Sequence, residues 1–143
     1  MTVDWRRSSL STAKNTIIAR RFFDDVVARQ SKRVVDELIA VDAVVAFPTG
    51  WFAGPEGVKR ASAQMASAFP DRHIEIQTLI AEGNHVLAAW TLCGTQQREL
   101  LGVPPSGRRE CIASRSLFRI ADGKIVEHRM AEHEDVPHPQ NGA

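Results

Sequence analysis

Only two of the 143 residues are cysteine, Cys93 and Cys111. One possible pair on two predicted strands is no disulfide framework, so reduced thiols in a cytoplasmic protein are the expected state. Neither sign of charge is in surplus, since 18 Lys and Arg stand against 17 Asp and Glu without a like-charge block. Such a chain has no electrostatic footprint for a phosphate backbone, which argues against nucleic acid as a partner. No stretch approaches the roughly 18 uninterrupted apolar residues of a membrane span. The opening MTVDWRRSSLSTAK carries Arg6 and Arg7 but lacks the apolar run of a signal peptide. Internal repeats and low-complexity segments are missing too. No Gly-rich loop follows a strand and opens a helix, so no nucleotide or flavin site of that kind is expected.

What is there reads as one soluble domain. Apolar residues make up 43% and charged residues 24%, the balance of a globule rather than of a disordered chain. In STAKNTIIARRFFDDVVARQSK, Ile18, Phe22 and Val26 recur at helical steps and Phe23 and Val27 widen the stripe, with Ser11 or Thr12 as the expected N-cap. A short helix, RVVDELIA, leads into a strand, VDAVVAFP, and Gly50, Gly54 and Pro55 mark a break. A second long helix opens at Pro55 and sets Val58, Met65 and Phe69 on or near one side. From Pro70 the period changes to two: HIEIQTLI, HVLAAWTLCGT, ECIASRSLFRI and KIVEHRMAEH read as strands, with turns at Gly83-Asn84 and Asp122-Gly123. Helices first and a meander of strands after them predict an α+β fold, with helices on one face of an antiparallel sheet. The domain is expected over residues 10–135, with residues 1–9 and 136–143 as flexible tails.

The last hairpin decides which side chains face inward, because a shift of one residue turns a strand over. A two-residue loop would set Ser116 opposite Arg129. A three-residue loop ending in a left-handed Gly123 would set Ser116 opposite His128. The second register gathers Ser114, Ser116, Phe118, Ile120, Val126, His128 and Met130 on one face. It leaves Arg115, Leu117, Arg119, Ile125, Glu127 and Arg129 on the other. An apolar lining with a few small polar groups and one imidazole is how a ligand pocket is built, so this register is favoured.

With AGPEGVK, AFPDRHIEIQTLIAEGNHV, WTLCGTQQRELLGVPPSGR and above all FRIADGKIVEHR in this order, the chain resembles the SnoaL-like polyketide cyclases of the NTF2-like superfamily. The resemblance implies a cone-shaped α+β barrel with a deep apolar pocket, dimeric through the outer sheet face. It implies a small apolar or aromatic metabolite as ligand, and acid/base ring closure or isomerisation of a polycyclic substrate in antibiotic or other secondary metabolism. Relatives act as hydroxylases, epoxide hydrolases or pocket proteins without known chemistry. The ring-closing members carry an aspartate after the H-R of the last strand and a histidine on the preceding strand. Met130 and Ser116 occupy the matching positions, and Gln96 stands where many relatives have histidine after G-T.

Fold does not deliver function, so each group is weighed by its chemistry. His128 is the expected proton shuttle, since an imidazole titrates near neutrality and Ser116 could orient it. A partly buried structural histidine is its bland counterpart. Trp90, Phe118 and Met130 are expected to form an apolar wall for a flat ligand, with Gln96 beside them, although core packing accounts for the three hydrophobic residues equally well. Asp71 could reach the rim or merely turn the chain after Pro70. Asp25 on the first helix is the nearest spare carboxylate, and an epoxide hydrolase or ether-forming cyclase would need it or Asp71 inside the pocket. EHRMAEHED has no compact zinc-type spacing, so neither metal nor bound cofactor is expected.

Overall fold

Residues 5–47, 50–100 and 102–130 are described by a computed structural model. The first helix, α1 (Trp5–Arg21), starts before the expected N-cap, so residues 5–9 are helical rather than tail. No glycine or proline interrupts it. Within it, Thr16 Oγ1 donates to the Thr12 carbonyl at 2.9 Å, the usual bond of a mid-helix hydroxyl. Then the helix widens. Phe22–Val27 form a π turn, which the periodicity had read as ordinary helix. The wider turn rotates successive residues by less, and Phe22 and Phe23 are both buried.

Ser31 caps α2 (Lys32–Leu38), its Oγ accepting from the Val34 N–H at 3.3 Å. Two strands follow, β1 (Ile39–Phe47) and β2 (Gly50–Ala53). The second occupies what the sequence marked as a break, because Trp51, Phe52 and Ala53 pair with β1. Helix α3 (Gly54–Ala68) opens with Pro55 in its first turn, as expected. Four strands complete the fold: β3 (His73–Glu82), β4 (His85–Thr95), β5 (Arg109–Ala121) and β6 (Lys124–Met130). Residues 131–133, read as a continuation of β6, and the tail 136–143 lie outside the described residues.

The six strands form one curved, unclosed sheet in the order β2-β1-β6-β5-β4-β3. This is the α+β cone the sequence implied, with one departure. Strands β1 and β6 run parallel, because nearly the whole domain separates them instead of a hairpin. The core lies between the helices and the inner face, where Phe23, Phe69, Phe118, Ile39, Leu92 and Ile125 are fully buried. Cys93 and Cys111 are bonded to each other, which corrects the expectation of free thiols. The β4–β5 register sets the two directly opposite, where cross-strand Cβ atoms are neighbours.

The β5–β6 hairpin differs from both registers weighed. Asp122 and Gly123 have φ of 52° and 76° and form a two-residue turn, leaving Ile120 opposite Ile125. One residue further, the register slips so that Arg119 faces Glu127. Val126 is the extra residue. This β-bulge restores the expected faces beyond it, with Ser116 opposite Met130 and Phe118 opposite His128. Before the bulge β6 alone is turned over: Ile125 is fully buried beside Ile120, while Val126, expected inside, is half-buried.

Backbone freedom matters most where α3 begins. Gly54 has φ +65°, and a Cβ there would lie 2.7 Å from the Val41 carbonyl oxygen. Gly83 has φ +59° and open space around it. Gly54→Ala is expected to destabilise the protein by more than about 2 kcal/mol, and Gly83→Ala by about 1 kcal/mol, in urea unfolding. Equal losses would show that the contact with Val41 carries no weight.

Candidate functional site

The inner face of the sheet and the π turn enclose a cleft. Its walls are Phe22, Phe23 and Val26 from the π turn, Val58 and Met65 from α3, and Val45, Ile74, Trp90 and Met130 from the sheet. Its free volume is about 40 Å³, and the atom-free space of the whole cleft, mouth included, is about 500 Å³. Among the described residues, polar groups besides the Trp90 indole enter at three places: Ser62, Ser116 and His128. Ser62 is already used, since its Oγ donates to the Val26 carbonyl at 3.0 Å and ties α3 to the π turn.

The other two are built by register. On β5, Ser116 points inward opposite Ala88 of β4 and Met130 of β6. Its long neighbours lie diagonally, two residues along each adjacent strand, within reach of an indole and an imidazole. Trp90 Nε1 donates to Ser116 Oγ at 3.0 Å, and His128 Nε2 lies 2.8 Å from the same oxygen. The expected Ser116–His128 pair is therefore present, diagonally rather than directly across the ladder. Phe118 does not line the cleft. It sits behind His128, its ring stacked on the imidazole at 4.4 Å, while Phe22 meets the same imidazole edge-on at 5.2 Å.

That packing changes the chemistry expected of the histidine. Burial among apolar rings disfavours the charged form and lowers the His128 pKa from 6.5 to about 3. At neutral pH it is a neutral imidazole, a hydrogen-bonding group and a weak base, not a group poised near pH 7.

The remaining sequence candidates lie elsewhere. Asp71 spends both carboxylate oxygens on Thr95, accepting from its N–H at 2.7 Å and its hydroxyl at 2.8 Å. Those bonds, the backbone one first, hold its pKa below the usual range. Its role is to join β3 to the end of β4, as its position after Pro70 allowed. Asp25 lies between Arg21 and Arg29, at 3.7 and 3.5 Å, and lines a separate polar cleft with Asp24, Arg29, Arg72 and His73. That cleft meets the apolar one only at Ile74. Gln96 is buried in the loop after β4, its Nε2 donating to the carbonyls of Arg98 and Val103 at 3.1 and 2.9 Å. It shapes that loop rather than the cleft. Among the described residues no carboxylate lines the apolar cleft, and no group of His, Cys, Asp and Glu could hold a metal ion.

The resemblance placed the pocket between helices and sheet, but sequence reading did not single out the helical residues that form its wall. Phe22, Val26, Val58 and Met65 were legible as buried stripes, but nothing marked them as cleft wall rather than core. Ser62 had a signal. It lies four residues after Val58 and three before Met65, a polar residue within an apolar stripe.

The family model described as SnoaL-like polyketide cyclase matches residues 17–135. Comparison with curated proteins gives no match. Among solved structures, TsrD from Streptomyces laurentii is 27% identical, with a TM-score of 0.77, over 92% of this chain and 96% of its own. A candidate SnoaL-like polyketide cyclase from Jannaschia Sp. CCS1 is 27% identical with a TM-score of 0.76, over 84% of this chain and 85% of its own. A hypothetical protein with a ketosteroid isomerase-like fold from Catenulispora acidiphila DSM 44928, solved with trimethylamine, shares the fold at 15% identity. Its TM-score is 0.70, over 87% of this chain and 92% of its own. No helix among the described residues is long and apolar enough to cross a membrane.

The buried imidazole makes stability depend on pH in a stated direction. The unfolded chain takes up the His128 proton near pH 6.5, whereas the folded protein resists it until about pH 3. Between those values the unfolded state binds more protons, so stability falls as pH falls. The His128 contribution should decline by about 2 kcal/mol between pH 7 and pH 5. Urea unfolding at the two pH values should show a smaller decline in His128→Gln. An unchanged decline would mean that other groups cause it.

Proposed function

The chain belongs to the SnoaL-like polyketide cyclase family, and from that membership we propose that it is a small-molecule enzyme of secondary metabolism. Its substrate is apolar and polycyclic, and its reaction is ring closure or isomerisation by acid/base chemistry. The observation that carries this reading is the Trp90–Ser116–His128 hydrogen-bonded chain set into an otherwise apolar cleft. In this reading Met130 and Ser116, which face each other across β5 and β6, replace the aspartate and histidine of the ring-closing members. Proton transfer then falls to His128, acting through the Ser116 hydroxyl that lies 2.8 Å from its Nε2. So weak a base serves a carbon acid that is itself acidic, such as a carbon between two carbonyls.

The lack of a lining carboxylate among the described residues favours one other reading, a cofactor-independent hydroxylation in which reduced substrate activates oxygen. It counts against an epoxide hydrolase or ether-forming cyclase, which needs that carboxylate. Turnover of aromatic polyketides without oxygen supports ring closure, and strict oxygen dependence supports hydroxylation. Binding without turnover under either condition would make the protein a non-catalytic ligand-binding module. His128→Ala is expected to lower turnover by about 10²- to 10⁴-fold, and activity retained within about twofold would remove His128 from the mechanism.

The outer sheet face supports pairing with a second copy. An outward row crosses all six strands through Ile80, Leu87, Leu117, Arg129, Ala46 and Trp51, each paired with the next. Ile80, Leu87, Leu117 and Trp51 are exposed, and the Arg129 guanidinium lies 5.5 Å from the Trp51 ring centroid. Such a row, apolar but for Arg129, is characteristic of interaction surfaces. Leu87→Asp with Leu117→Asp should convert a dimer to a folded monomer in sedimentation. A wild-type monomer at high concentration would exclude the pairing.

A further inference from the structure

The two contacts at Ser116 restrict where protons can be. An indole N–H only donates, so Trp90 occupies one lone pair of Ser116 Oγ. His128 Nε2, on the other side of the same oxygen, either donates or accepts. When Nε2 carries the imidazole proton, Oγ accepts twice and its own hydrogen is available to another acceptor. When Nδ1 carries it, Oγ donates to Nε2 and keeps a lone pair for another donor. Both arrangements leave the net charge of the cleft unchanged. Ser116 borders that cleft as a fully buried residue, so a ligand seated deepest in it, against a displaced wall, is the group that meets whichever capacity is left over.

We infer that Ser116 is the ligand-binding group of the cleft and that Trp90 and His128 are its positioning residues. The tautomer of His128 decides whether the hydroxyl offers a proton to a ligand carbonyl or a lone pair to a ligand hydroxyl. The inference rests on the reading of the cleft as the ligand site, and not on which reaction follows. It specifies an uncharged oxygen on an apolar ring system, held at one point in both its keto and its enol form. A carboxylate is disfavoured, because no cationic side chain among the described residues lines the cleft to offset its desolvation.

Four probes test this by calorimetric titration of the intact protein: β-tetralone, a ketone; β-naphthol, a locked hydroxyl; tetralin, without oxygen; and β-naphthoate, an anion. Both neutral oxygen probes should bind more tightly than tetralin, and β-naphthoate should bind most weakly. Ser116→Ala should weaken β-tetralone and β-naphthol about fivefold to tenfold each while leaving tetralin within about twofold. Because that substitution strands the buried indole donor, Trp90→Phe/Ser116→Ala provides the same comparison in a protein with donor and acceptor both removed. Nitrogen NMR shifts of the His128 ring, which report the tautomer, should move in opposite directions with the two oxygen probes. A loss confined to one of those probes, or shifts in the same direction, would overturn the tautomer switch. Equal binding of the three neutral probes, unchanged by the substitutions, would overturn the role of Ser116 and leave the cleft as the ligand site. Failure of all three to bind would overturn both, and tight binding of β-naphthoate would overturn the uncharged class.

Discussion

One extra residue in β6 determines which chemistry faces the cleft. The two-residue turn at Asp122-Gly123, carried along both strands without interruption, would set Arg129 opposite Ser116 and turn His128 toward solvent. The bulge at Val126 cancels that outcome. Beyond it, His128 and Met130 face inward, while Glu127 and Arg129 pair with each other at 3.0 Å on the outer surface. The hydrogen bonds at Ser116, the stacking on Phe118 and the cation over Trp51 all follow from this parity.

Inside the cleft, dryness matters as much as residue identity. An imidazole in water is half-protonated near pH 6.5, but packing between Phe22 and Phe118 removes the solvent that would stabilise its charge. The same packing strengthens its hydrogen bond to Ser116, since few competing dipoles surround it. A site of this kind trades basicity for orientation. The contrast with the neighbouring polar cleft is plain, where Asp25 is balanced by two exposed arginines and no apolar wall isolates either charge.

The fold was legible in the sequence because its signals were long: two helical stripes, four alternating runs and two turn dipeptides. Inward placement of Ser116, His128 and Met130 was legible too, although the loop that was to produce it was wrong. The apolar doublet Ile125-Val126 carried the missing information, since strict alternation cannot bury one without exposing the other. Short-range pattern could not reveal the cross-link between Cys93 and Cys111, which depends on the β4–β5 register eighteen residues apart in sequence. Nor could it separate Gln96 from the cleft, because that depends on carbonyls supplied by an irregular loop. Asp25 and Asp71 were candidates as carboxylates near the expected pocket, and their nearest partners claimed them.

The π turn bears on how this chain is compared with its kin. A stretch of that kind behaves as a regular helix into which one more residue has been admitted. Its surplus is absorbed between Arg21 and Ala28, within the wall of the cleft, and not in a loop. An alignment with a relative whose helix is regular there should open its gap inside the helix. Placing the gap in the following connection would misassign by one position the later residues of the π turn, among them Val26 and Val27 of the cleft wall.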